Sequence, residues 1–172
     1  MSVFLSIISW ITFIFWQIYN PKKEDTDWYT KSRNKIRFGP PSWLFGPAWI
    51  GLYSLLTATA VTFFDENEKD THIAIFVLFV FNIILNKTWS LVFFGQRRIG
   101  LSIAIDILMI ATEIGIVVLF VIENAWVQFG LYCPYLLWTI FALYLNIRMY
   151  QIHRPIQEVN TLYRKSGAYR LG

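Results

Sequence analysis

The sequence predicts an all-α membrane protein, a bundle of five transmembrane helices with a long cytosolic first loop, as a single domain over 1–172. Three observations predict it. Hydrophobic residues make up 56% of the chain and charged residues only 15%, with 19% aromatic and a mean hydropathy of +0.46, where a soluble domain is about a quarter charged. The apolar residues fall into five runs, each long enough or nearly long enough to cross a bilayer. The links between the later runs are short, as in an up-down bundle.

The runs come in order. Residues 3–19 are uncharged and rich in Ile, Phe and Trp; with neither a basic start nor a small-residue cleavage site, they read as a retained first span rather than a signal peptide. Residues 20–39 are a long polar loop with the pair Trp28-Tyr29, and long loops often serve as lids. The second span, 41–64, lies in the 27-residue uncharged stretch Phe38–Phe64 on which the chain is organised. Pro40 and Pro41 open that stretch, as suits a first helical turn, and Pro47 beside Gly46 is expected to bend it. Trp43, Phe45, Trp49 and Tyr53 are interleaved with the prolines. Rigid rings beside a bend suit the wall of a cavity; the plainer reading, an interfacial aromatic belt, applies with most force to Trp43.

An acidic link, 65–72, leads to the third span, 73–94, interrupted by Lys87. A basic turn, 95–100, leads to the fourth, 101–122, which carries Asp106 and Glu113. A link at 123–130 precedes the fifth span, 131–150, and a basic tail, 151–172, follows. Thirteen of the fifteen Lys and Arg fall on the side that receives the first loop, the 95–100 turn and the C-terminal end. The positive-inside rule therefore places the C-terminus in the cytosol. These cations suit an anionic lipid surface, and the net charge of +4 does not require nucleic acid as a partner.

Several chemistries are disfavoured. One cysteine, Cys133, excludes an intramolecular disulfide framework and a cysteine-based zinc cluster. His72 and His153 fall in a link and a tail, so no metal site is expected, and there is no glycine-rich phosphate loop or Ser-His-Asp set. The sharper signals are polar and aromatic residues at helical spacing. Asn82, Asn86, Trp89 and Phe93 share one face of the third span, and Tyr135, Trp138, Ala142 and Asn146 share one face of the fifth. An amide in hydrocarbon must find a partner, so these faces point into the bundle. Helix–helix glue explains the amides. It does not explain why tryptophans share both faces with them.

PPSWLFGPAWIGLY (40–53), LNKTWSLVFFG (85–95) and PYLLWTIFALYLN (134–146) resemble, in order, the motifs of the translocator protein family, also called tryptophan-rich sensory protein or peripheral-type benzodiazepine receptor. The resemblance covers about 28–150. It implies a membrane protein that binds porphyrins, sterols or isoquinoline-type drugs inside the bundle and has a role in their transport or sensing. It implies site residues Pro40, Pro41, Trp43, Pro47 and Trp49 from the second span, and Asn86, Trp89, Phe93 and Phe94 from the third. Tyr135, Trp138, Ala142 and Asn146 come from the fifth, with Trp28 and Tyr29 from the covering loop. A porphyrin would be a ligand, and no cofactor is implied. Bacterial relatives suggest an alternative, light-dependent degradation of protoporphyrin with Trp49 and Trp138 implicated; a structural scaffold is a third class. Family membership also implies a homodimer. It implies the mitochondrial outer membrane in animals, and other organelles or the cell envelope elsewhere.

Three departures from the family pattern stand out. Lys87 occupies a position where many members have tryptophan. The run from Gly95 to Asp106 is one residue longer than usual. The loose sterol pattern Leu145, Tyr150, Arg154 is displaced, with Gln151 where a basic residue is expected. Two packing expectations follow from spacing. Ala104, Ala111 and Gly115 form a small-residue stripe suited to close helix approach. Lys87 and Asp106 lie at similar depths, roughly 8–10 Å by helical rise, which suggests an ion pair or a shared water, the competing reading being that Lys87 snorkels alone to the headgroups; Glu113 lies deeper, as a protonated, hydrogen-bonded acid.

Overall fold

The computed structural model describes residues 23–36, 39–64 and 70–165, and among these every regular element is helical. The span expected at 3–19 lies outside the described residues. Helix α1, Lys23–Arg33, lies within the first loop. Lys31 and Arg33 come in its last turn, matching the negative end of the helix dipole. Four long apolar helices follow: α2, Ser42–Phe64; α3, Asp70–Ser90, prolonged by a wide π-type turn over Leu91–Gly95; α4, Ile99–Ile122; and α5, Trp126–Lys165. Each is long and apolar enough to cross a bilayer. The protein is an all-α, multi-pass membrane protein.

Helix α2 begins just after its two prolines. The Pro41 carbonyl accepts from Leu44 N at 3.0 Å, so Pro41 closes the first turn from outside the helix. Pro47 sits inside a continuous helix, close enough to its start that only the Trp43 carbonyl loses an amide partner. Further along, the hydroxyls of Ser54, Thr57, Thr59 and Thr62 donate to carbonyls four residues back, so small polar side chains stay satisfied where water is absent.

The turns are tighter than the sequence suggests. Helix α4 ends at Ile122, and Asn124 takes a positive φ of 56°, a conformation that asparagine tolerates. Ala125 N then reaches back to Phe120 O at 2.8 Å, and α5 starts at Trp126. The link expected at 123–130 is therefore only three residues long. At its other end α5 runs on through the expected tail to Lys165, a helix of 40 residues. Between α3 and α4 the π-type turn closes with Gln96 N donating to Leu91 O and Arg98 N to Val92 O.

Helix α5 packs on α4 and α2, α3 packs on α4, and α1 touches α2 and α5. Two apolar clusters stack along the bundle. One joins Leu56 and Phe63 of α2, Phe79 of α3, Phe120 of α4 and Tyr132 of α5. The other, at the α1 end, joins Tyr29, Trp89, Phe93, Met109 and Met149. The outward faces carry Phe76, Val80, Ile107, Val118, Leu137 and Ile140, as lipid contact requires. In the α4 stripe, Gly115 lies against Leu78 of α3, while Ala104 and Ala111 stay exposed.

Helix α1 is held down by Tyr29, whose hydroxyl donates to the Pro40 carbonyl at 3.2 Å and whose ring meets Phe45 edge-on at 5.2 Å. Burial pushes this phenol up to about 12, against the opposing pull of Arg33. The neutral phenol is the form that docks, so docking is complete below the ordinary tyrosine value of 10.0 and is lost as pH rises toward about 12. An alkaline titration of tyrosinate absorbance is expected to show a phenol ionising at about 12 that is missing in Tyr29→Phe. A curve identical in the variant would count against this docking.

Candidate functional site

Where the two apolar clusters meet, a chain of polar side chains crosses the bundle. Tyr53 of α2 donates to Asn86 Oδ1 of α3 at 2.9 Å. Asn86 Nδ2 donates to Tyr135 Oη of α5 at 3.2 Å. Tyr135 donates to Asn82 Oδ1 at 2.8 Å. Asn82 Nδ2 faces Thr112 Oγ1 (2.8 Å), the Met109 carbonyl (3.0 Å) and Glu113 Oε1 (3.3 Å) on α4. Thr139 Oγ1 of α5 lies 2.5 Å from Glu113 Oε2. The direction of the chain is set by the Met109 carbonyl, which can only accept. It obliges Asn82 to present its amide N–H₂ to α4, and each neighbour must then donate in the same sense back to Tyr53.

One turn to two turns toward α1, rings replace polar groups. Trp49 stacks on Tyr53 at 5.3 Å and meets Tyr135 and Trp138 edge-on, each at 6.3 Å. Phe45 meets Trp138 at 6.0 Å. From α3, Trp89 stacks on Phe93 at 5.2 Å, and Phe94 sits edge-on to both. The π-type turn makes this possible: widening the helix lets consecutive phenylalanines both join the cluster, as such turns do at functional sites. Tyr29 closes the ring set against Phe94 at 6.3 Å. The Trp138 indole N–H is buried without a hydrogen-bond partner among the described residues, while the buried Trp89 indole is directed at the Asp106 carboxylate. Buried donors of this kind are uncommon and costly.

Trp28 fastens the cover. His153 of α5 stacks on it at 5.7 Å, Phe93 meets it edge-on at 5.6 Å, and the Arg97 guanidinium lies 5.7 Å from its ring centroid. Ser32 donates to the Trp28 carbonyl at 3.0 Å, and His153 Nε2 lies 3.0 Å from the same hydroxyl. Sequence reasoning missed His153 and Arg97. The signal was present: the buried α5 positions Ala142, Asn146 and Met149 continue at helical spacing to 153, past the point where hydropathy falls. Thr139 was missed as well, although it adjoins Trp138.

Of the residues the sequence singled out, Trp28, Tyr29, Trp49, Trp89, Phe93, Phe94, Tyr135 and Trp138 come together in this aromatic cage, with Asn86 in the polar chain beneath it. Ala142 is buried one turn beyond Trp138, and Asn146 donates to Asp106. Pro40 is buried at the foot of α1 and Pro41 is half-buried. Other expected residues lie apart from the cage, and one expected pair is not formed. Trp43 is 70% exposed: six residues turn a helix by about 240°, so it does not share the face of Trp49. Pro47 is exposed too. In the sterol pattern Leu145 points into the core while Tyr150 and Arg154 point outward, because five residues separate Leu145 from Tyr150 by about 140°. Asp106 accepts from the Asn146 amide and has the Trp89 side chain beside it; Lys87 is not among these partners. Glu113 is hydrogen-bonded as expected. Among the described residues no three His, Cys, Asp or Glu side chains gather into a metal-binding group.

Comparison with known proteins agrees with this architecture. A profile of the TspO/MBR family matches residues 3–151. The Tryptophan-rich protein TspO of Chlorobaculum tepidum is 32% identical over 139 residues, covering 78% of this chain and 84% of that protein. The Tryptophan-rich sensory protein of Cereibacter sphaeroides is 28% identical, covering 74% and 77%. The human Translocator protein is 29% identical, covering 72% and 73%. The chain belongs to the TspO/MBR family.

The polar chain makes a stability prediction. Asn82→Leu strands the Tyr135 hydroxyl and removes a donor from Glu113, a loss of about 1–3 kcal/mol. Thermal unfolding in detergent is expected to show a clear drop for this variant. Thr88→Ala serves as the control, since that exposed hydroxyl bonds only its own helix; equal melting temperatures for the two would remove the chain from the stability argument.

Proposed function

We propose that this member of the TspO/MBR family binds a flat, largely apolar ligand of the tetrapyrrole, sterol or isoquinoline kind in the aromatic cage under α1, and carries or senses it at the membrane. One observation supports this reading most: rings from α1, α2, α3 and α5 converge around the Trp138 indole N–H, which is buried with no acceptor among the described residues. Apolar walls with a few fixed polar groups are the usual form of small-molecule sites. Stacking on such rings adds about 0.5–1.5 kcal/mol per pair. The Lys and Arg distribution supports a cytosolic α1 end and C-terminus, and the exposed Ala104 and Ala111 leave a close-approach surface for a second copy.

Titration with protoporphyrin is expected to quench tryptophan fluorescence saturably, and Trp138→Phe to weaken the response. Quenching that stays linear in porphyrin would overturn the reading. Ala142→Leu places a larger side chain one turn from Trp138, and is expected to weaken binding about tenfold, or ~1.4 kcal/mol, with little change in melting temperature; unchanged affinity would place the ligand elsewhere. Mass measurement in detergent is expected to find two chains per particle, and one chain at all concentrations would count against self-association.

A further inference from the structure

Glu113 is fully buried, at 0% exposure, in the middle of a membrane helix, and the cage has no direct use for it. Its hydrogen-bonding neighbours, Asn82 and Thr139, are both neutral. Among the described residues, the titratable groups that face it are Tyr132 and Tyr135 from α5 and Asp106 from its own helix. From α3 it meets the Asn82 amide, and Tyr53 of α2 reaches it only through Asn86, Tyr135 and Asn82. None of these neighbours is a cation, and an unpaired carboxylate in hydrocarbon is very costly.

A count of hydrogens points the same way. Thr139 Oγ1 lies within bonding distance of two acceptors, Glu113 Oε2 at 2.5 Å and the Leu136 carbonyl at 2.9 Å, but it has one hydrogen. Both contacts are satisfied when Glu113 carries a hydrogen and donates it to Thr139, which in turn donates to Leu136. The Asn82 amide likewise has two hydrogens for three acceptors, and its longest contact, 3.3 Å, is the one to Glu113. Asp106 differs, because Asn146 donates to it and the Trp89 indole is a second donor beside it, with no such excess of acceptors.

We propose that Glu113 is a proton-exchange site linked to the cage: the bundle holds a proton on this side chain, and a ligand in the cage binds the protonated form more tightly. This rests on the ligand-binding reading above. The step is a bare protonation, in which hydronium gives its proton to a carboxylate oxygen and leaves water, with nothing oxidised or reduced. The link is structural. When the proton leaves, Thr139 must turn its hydrogen away from Leu136, and Asn82 must shift toward Glu113. That shift draws Asn82 Oδ1 away from Tyr135, whose ring lies against Trp49, and the disturbance passes through Asn86 to Tyr53, on which Trp49 stacks. Proton and ligand are therefore reciprocally linked.

The test uses the full chain in lipid nanodiscs and a neutral isoquinoline carboxamide, chosen because it does not itself titrate. Its dissociation constant is measured from mildly acidic to alkaline pH. Affinity is expected to fall as pH rises, by at most about tenfold per pH unit for one linked proton. The profile should be flat in Glu113→Gln and still sloped in Asp106→Asn. A flat wild-type profile with binding intact overturns the proposal, and so does a slope that survives in Glu113→Gln. Infrared difference spectra of wild type and Asp106→Asn on ligand addition keep the test open if Glu113→Gln fails to fold. A protonated-carboxyl C=O stretch that shifts in both supports the site; its absence from both overturns it. Absence of carboxamide binding at every pH would instead defeat the ligand-binding reading, and the resting infrared band would still report on the Glu113 proton.

Discussion

In hydrocarbon a polar side chain has no water to fall back on, so each one must be answered by another part of the protein. The rest of this bundle depends on that constraint. Tyr53, Asn86, Tyr135, Asn82, Glu113 and Thr139 come from four helices, and each answers another across a helix boundary. Apolar packing between helices in lipid is weakly directional, since the tails are as greasy as leucine. The polar chain is directional. A rotation of α3 about its own axis that moved Asn82 away from Met109 and Thr112 would also separate Asn86 from Tyr53, so the angular setting of the helices is fixed by a few bonds.

The cage follows from that setting. Trp89 and Phe93 lie on the α3 face that carries Asn82 and Asn86, and Trp138 adjoins the Thr139 that meets Glu113. Once the polar groups find one another, the rings above them are already turned inward. Helix α1 then closes the end by the same means, with Tyr29 bonded to the Pro40 carbonyl and Trp28 gripped from three sides by His153, Phe93 and Arg97. The wide turn after α3 supplies the one departure from regular helix that the site needs, bringing Phe93 and Phe94 to the same cluster.

Much of this was legible in the sequence. Helical spacing alone put Asn82, Asn86, Trp89 and Phe93 on one face, and Tyr135, Trp138, Ala142 and Asn146 on another; the long apolar runs marked α2 to α5. What hydropathy could not mark was the end of α5, because it senses where lipid stops rather than where a helix stops. His153 was therefore read as part of a tail. The direction of Trp43 was obscured by its motif, since tryptophans six residues apart look like one cluster in a string of letters and face apart on a helix. Depth along a helix placed Lys87 beside Asp106 but was silent on angle, and it is Asn146 that donates to Asp106.

The length of α5 has a mechanical consequence. Forty residues make a rod of about 60 Å, roughly twice the thickness of the hydrocarbon core. Trp138, Thr139 and His153 all ride on it, the first two at the cage and the third, about 22 Å further along, at the fastening of the cover. Because one helix carries all three, a tilt of a few degrees about the cage would also displace the imidazole beneath Trp28. A single rod thus spans both the interior ring set and the fastening of α1.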